Sequence, residues 1–214
     1  AKELLVKEYL AYKMYNELSD ASFKVKLLRI TYKDTQSNRK WKQWAFFIED
    51  TAQMRDRLEG GKVELAKSIE DNLFDRQQIQ QVALFQYMIG NSDWNIVLQK
   101  NIKIIERAEK IWAIPYDFDF SGLVNPPYGT ASKRLNQTAL TDRVYLGPLG
   151  EGLEAQIEFF LHKKADLLAT IEENKLLKKE SKENMLAYVR AFYDNLTASD
   201  ILSHLPPEDY SQLH

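Results

Sequence analysis

Two short acidic runs hold the residue types best suited to phosphate chemistry. The first is Asn91-Ser92-Asp93-Trp94-Asn95, between an apolar helical stretch and a short strand; the second is Pro115-Tyr116-Asp117-Phe118-Asp119-Phe120-Ser121-Gly122, at the end of the next strand. Phosphoryl transfer needs one carboxylate to orient the attacking hydroxyl. It also needs separate carboxylate and amide oxygens to hold the magnesium ions that bridge the phosphates. Asp93 suits the first role, and Asp117, Asp119 and Asn101 supply hard oxygens for the second. The plainer reading is that Asn91 and Asp93 cap turns after a helix and that Asp117 and Asp119 form a solvated strand end. Apolar Ile114, Tyr116, Phe118 and Phe120 oppose free solvation of the second pair, and two acidic runs in this order strengthen the first. His162, His204 and His214 are scattered without ligand spacing and take no role.

The elements around these runs follow from periodicity. Val6, Leu10, Met14 and Leu18, widened by Leu4, Ala11 and Tyr15, predict a helix over 2–18, with Glu8 on its apolar side. A carboxylate there must be paired, at an edge, or functional. Residues 23–33 and 41–49 read as strands separated by turn chemistry at 34–40. The apolar phase of the first switches from Phe23, Val25 and Leu27 to Leu28, Ile30 and Tyr32, which predicts a bulge or cover on both faces. Residues 50–72 read as a connector with short helical pieces. Asp75 caps a helix over 76–89, and Gly90-Asn91 stops it. Strands 102–105 and 111–116 make a hairpin, which brings the two acidic loops side by side. An irregular loop region over 120–150 and helices near 152–173 and 179–196 complete an α+β chain.

Bulk properties narrow the function classes. The 214 residues are 44% hydrophobic and 28% charged with a net charge of −2, enough apolar material for a sizeable core. No basic block favours nucleic acid, and no run approaches the roughly 18 apolar residues of a membrane span. The absence of cysteine removes disulfides and thiolate metal sites. The chain opens on Ala1 directly in a helical pattern, as expected of a mature or trimmed fragment.

Taken together, these runs resemble the catalytic and metal-binding loops of protein-kinase-like enzymes. The likeness is greatest to the atypical bacterial branch that includes the CotH-like spore-coat kinases, with the HipA-type kinases more distant. In that branch an Asn-x-Asp opens the catalytic loop, an Asn closes it before a strand, and Trp/Tyr-Asp-x-Asp replaces Asp-Phe-Gly. Asn91-Ser92-Asp93 matches the opening and Tyr116-Asp117-Phe118-Asp119 the metal turn. The phrases Lys7-Glu8-Tyr9-Leu10-Ala11-Tyr12 and Ser121-Gly122-Leu123-Val124-Asn125 are similar to those of exported bacterial proteins of this type.

The resemblance spans about residues 4–130. It implies a partial N-lobe over 1–52 and a mainly helical catalytic lobe over 53–214, with the catalytic-loop hairpin at 91–122. Asp93 would orient the acceptor hydroxyl, Asp117, Asp119 and Asn101 would hold Mg²⁺ or Mn²⁺, and Glu8 would take the place of the helix glutamate that pairs with a nucleotide-binding lysine. Glu49 and Asp50 would begin the adenine-contacting hinge, which runs to Ala52. ATP is the implied nucleotide, a protein or small-molecule hydroxyl the acceptor, and the periplasm or exterior the location. Three features depart from the pattern. The residue five after Asp93 is Leu98, so the metal Asn moves to Asn101, with Asn95 as runner-up. No Gly-rich phosphate loop or upstream strand lysine is present, and Asp119 stands where many kinases have Gly. An incomplete N-lobe is also expected to expose apolar edges and favour self-association. The alternative is a kinase fold kept for binding, without catalysis.

Overall fold

A computed structural model of the protein describes residues 2–63 and 73–207; the end of the 50–72 connector and His214 lie outside this range. The order is α1 (Lys2–Leu18), β1 (Val25–Lys33), β2 (Lys40–Ile48), α2 (Thr51–Arg57), β3 (Gly61–Lys62), α3 (Arg76–Ile89), β4 (Ile102–Arg107), β5 (Lys110–Pro115), α4 (Leu153–Glu172), α5 (Lys179–Asp194) and α6 (Ala198–Ser203). The architecture is mixed α+β with small sheets. β1 and β2 form a two-stranded ribbon, and β3-β4-β5 form a second antiparallel sheet.

The central element is α3, from which Ile79, Val82, Phe85 and Ile89 are buried along with most of their neighbours. Its ends follow local chemistry. The Asp75 carboxylate accepts from the Gln78 N–H at 3.0 Å, and Gly90 takes the left-handed conformation at φ 63° that ends the helix. α1 buries Val6, Leu10, Ala11, Met14, Tyr15 and Leu18 in the same cluster that holds α3, α4 and α5. One continuous core therefore runs from the first helix to the last long ones.

The β1–β2 ladder is unbroken from Val25↔Ile48 to Lys33↔Lys40, so the apolar phase switch makes no bulge. Leu27 and Leu28 lie on opposite faces and are both half-buried, but only the Leu27 face turns toward α1; the Leu28 face carries exposed Tyr32, Trp41 and Phe47, so the ribbon is not covered on both faces. The ribbon is fixed at its base, where Phe46 packs on Tyr9 and Tyr12 of α1. No helix among the described residues is long and apolar enough to cross a membrane.

The second sheet is joined to α3 through the Asp75 N–H, which donates to the Ile111 carbonyl at 3.0 Å, and through the Gln78 side chain. Buried Gln78 donates through Nε2 to the Ala113 carbonyl at 2.6 Å and accepts the Ala113 N–H at 2.9 Å. The amide thus acts as a further strand residue for β5. This fixes the hairpin, and with it the loops at its two ends, relative to the central helix.

Candidate active site

The Asp93 loop leaves α3 through Asn91, which is buried. Its Nδ2 donates to Gln86 Oε1 at 3.0 Å, and its Oδ1 accepts the Asp93 N–H at 2.9 Å. The loop then closes on itself: Asn95 and Lys100 exchange backbone hydrogen bonds, and Asn95 Oδ1 accepts from the Leu98 N–H at 2.6 Å. Residues 96–99 form this turn. Asn95 thereby serves the turn, whereas Asn101 reaches Asp93, donating from Nδ2 to its carbonyl at 2.7 Å and its carboxylate at 3.2 Å. That leaves the Asn101 side-chain oxygen as the atom able to meet a cation. Trp94 is only 4% exposed and packs in the core, bordering a cavity of about 590 Å³.

The hairpin returns the chain to this loop. The Tyr116 N–H donates to the Asn101 carbonyl at 3.0 Å, which joins the end of β5 to the start of β4. Asp117 follows at φ 60°, a left-handed conformation that costs a side-chain-bearing residue about 1 kcal/mol or more. Its N–H is held by the Tyr12 hydroxyl at 2.8 Å. Phe118 is fully buried, its ring 4.6 Å from Tyr12 and 5.4 Å from Phe85. On either side of this anchored ring, Asp117 is exposed and Asp119 half-buried. The Gly122 and Leu123 N–H groups then donate to Gly90 and Ile89 at 3.0 and 2.9 Å, tying the acidic turn back to the end of α3. Gly122 is required there, since a Cβ would lie 2.9 Å from the Thr141 backbone and closer still to Tyr188.

The electrostatics bring four carboxylates to one place. Burial, then the charges of Asp119 and Asp117, pushes Glu8 up to about 7. Asp117 is likewise raised, first by burial, then by Asp119, with which it shares a hydrogen bond, and then by Asp93. The Tyr128 hydroxyl donates to Asp119 at 3.3 Å, and burial and Asp119 raise its own titration. Asp93 is ion-paired with Lys100. Among the described residues no cation pairs with Glu8, and the neighbouring Lys7 ammonium donates instead to the Val124 carbonyl at 3.1 Å. Asp117 thus lies within electrostatic reach of Asp93, Asp119 and Glu8, and Asn101 is bonded to Asp93. No three of the described His, Cys, Asp or Glu side chains are disposed to hold a metal by themselves.

Glu49 and Asp50 lie apart from this cluster, at the end of β2. Glu49 is bonded by Arg57 at 2.8–2.9 Å and accepts the Lys24 N–H, and these partners hold its carboxyl below the usual range. Asp50 caps α2, its carboxylate accepting from Ala52 and Gln53. Both side chains thus have structural work at the strand end. Sequence reasoning missed three participants: Lys100, Tyr12 and Tyr128. A lysine just before the closing Asn was the one available signal; the tyrosines contact the site across long stretches of chain.

Comparison with family models, with curated proteins and with solved structures finds no match for the chain.

Proposed function

We propose that the protein is a kinase-like phosphotransferase that uses Mg-ATP to phosphorylate a hydroxyl of a protein or small molecule. The observation that carries this reading is the junction of two acidic loops, with Asn101 bonded to Asp93 and Asp117 raised by burial, then by Asp119 and Asp93. Carboxylates packed with so little countercharge are at rest only when a cation or protons join them. Magnesium suits the first option. It takes one or two carboxylates and fills its remaining positions with phosphate oxygens and water, so an all-protein cage is not required. Asp117, with Asp119 and the Asn101 oxygen, would hold the metal. Asp93 would accept or orient the hydroxyl proton, and Lys100, which pairs with it, would be drawn toward the phosphate during turnover.

The second reading, a kinase-like fold kept for binding, draws on Glu8: no lysine among the described residues pairs with it, so a phosphate-positioning ion pair is not formed. Calorimetric titration of Mg-ATP together with a phosphate-transfer assay separates the two. Phosphotransfer requires that the wild type bind Mg-ATP and that Asp117→Asn abolish binding. Asp93→Asn should keep most of the binding and lose transfer by at least about 100-fold. Binding without any transfer supports the second reading. No metal or nucleotide binding by the wild type defeats both the metal and the nucleotide assignments.

A further inference from the structure

The β1–β2 ribbon differs in charge from the rest of the molecule. Residues 25–48 hold six cations (Lys26, Arg29, Lys33, Arg39, Lys40 and Lys42) and one acid, Asp34, a local charge of +5 in a chain whose net charge is −2. All six cations are exposed, and none forms an ion pair with another described residue. Elsewhere acids outnumber bases, so the positive potential is confined to one projecting element.

The ribbon's faces are just as distinct. The register puts Leu28, Ile30, Tyr32, Trp41, Ala45 and Phe47 on the face opposite Phe46, which packs on α1. That outward face keeps large apolar side chains in water: Phe47 is 65% exposed, Trp41 50% and Tyr32 39%. Tyr32 and Trp41 are directly cross-strand, with rings stacked at 5.4 Å and 13° between planes. Lys26 stands at the base of this face; Arg29, Lys33, Lys40 and Lys42 belong to the other face of the ribbon, and Arg39 lies just before β2. Long side chains on a ribbon only two strands wide can reach past its edges, so cations from either face can border the apolar patch.

We infer that this ribbon docks the protein on an anionic lipid bilayer surface. Tyr and Trp favour the interface between headgroups and hydrocarbon, where an apolar ring and a polar edge are both satisfied. Leu28, Ile30 and Phe47 gain from entering the acyl boundary, and the surrounding Lys and Arg meet the lipid phosphates. Single-stranded nucleic acid is the less favoured occupant. Each of the two stacked rings already spends one face on the other, and the aliphatic residues offer nothing for base stacking. The surface is on the ribbon and is independent of the acidic loops.

Co-sedimentation of the full chain with phosphatidylcholine vesicles, with and without phosphatidylglycerol, tests the assignment, with tryptophan emission as a second readout. The expected result is binding only to vesicles containing phosphatidylglycerol, weakened by salt, with a blue shift that Trp41→Ser reduces. Changing Lys33, Lys40 and Lys42 together to Gln should weaken binding on the order of 100-fold. The same change at Lys133, Lys175 and Lys178, exposed cations far from the ribbon in sequence, should leave it within a few-fold. The ribbon substitutions touch no core residue, so a folding defect would not imitate this pattern. The proposal is overturned by absence of binding to anionic vesicles, by equal binding to neutral ones, or by equal loss in both triple variants. Tighter binding to a single-stranded oligonucleotide than to vesicles would overturn it in favour of nucleic acid. Concentration-dependent dimers dispersed by Trp41→Ser, without vesicle binding, would overturn it in favour of self-association.

Discussion

At the scale of single residues, Glu8 shows what crowding carboxylates together costs. Its carboxyl is raised to about 7 by burial and by Asp119 and Asp117, whereas in an unfolded chain it would titrate near about 4.3. Between those values the folded state holds a proton that the unfolded state has released. The favourable contribution is therefore full below the unfolded value and is lost as pH rises toward 7, where the carboxylate must ionise in place. Asp117 acts in the same direction. The midpoint of thermal unfolding should accordingly fall between pH 5 and pH 8 at fixed ionic strength. Glu8→Gln should flatten that fall and stabilise the protein at pH 8 by about 1–3 kcal/mol. Magnesium with nucleotide should stabilise the wild type most at high pH. An unchanged slope in Glu8→Gln would mean that the glutamate is solvated and outside the cluster.

At the scale of elements, the Gln78 clamp between α3 and β5 is one of the ties that fix the hairpin joining the two acidic loops. Replacing Gln78 with Leu keeps the volume but strips a buried N–H and a buried carbonyl of their partners, each a penalty of about 1–3 kcal/mol. Urea unfolding should show a loss of roughly 2–4 kcal/mol. Nucleotide affinity should fall as well, because the hairpin carrying both acidic loops loses its fixed position. Loss of stability with unchanged affinity would separate the clamp from the site. The elements themselves were readable because their signals are local: the four-residue repeat of α1, the Asp75 cap and Gly90 stop of α3, and the alternation of the hairpin. The expected boundaries of α4 and α5 also lie close to the observed ones. The contacts that assemble the site were less readable. Gln78 looks like an ordinary helical polar residue, and Tyr12 reaches Asp117 across 105 positions of chain. Asp50 caps a short helix, a local role that the likeness to a kinase hinge does not convey. β3, with two residues, and α6, with six, are too short for periodicity to register.

At the scale of the whole molecule, the question is whether residues 1–52 behave as a unit apart from 53–214. The packing argues that α1 does not. Val6, Leu10, Met14 and Tyr15 are buried in one cluster with Phe85 of α3 and Phe160 of α4, and the Tyr15 and Phe85 rings lie 4.8 Å apart. The ribbon is attached differently, with Phe46 at its base and exposed residues over most of its tip. Local opening should therefore release the ribbon without disturbing the core, whereas α1 can open only when the common core does. Hydrogen exchange followed by mass spectrometry should place the amides of α1, α3 and α4 together in the slowest class. Amides of residues 29–44 should exchange faster by at least about tenfold, corresponding to a local opening roughly 1.4 kcal/mol or more easier than global unfolding. If the ribbon carries the lipid contact, anionic vesicles should slow exchange in 29–44 alone. Should α1 exchange as fast as the ribbon while α3 stays protected, the first 52 residues would be a separate cooperative unit. Glu8 would then belong to a part that moves relative to Asp93 and Asp117, and the site would be assembled only when the two parts close.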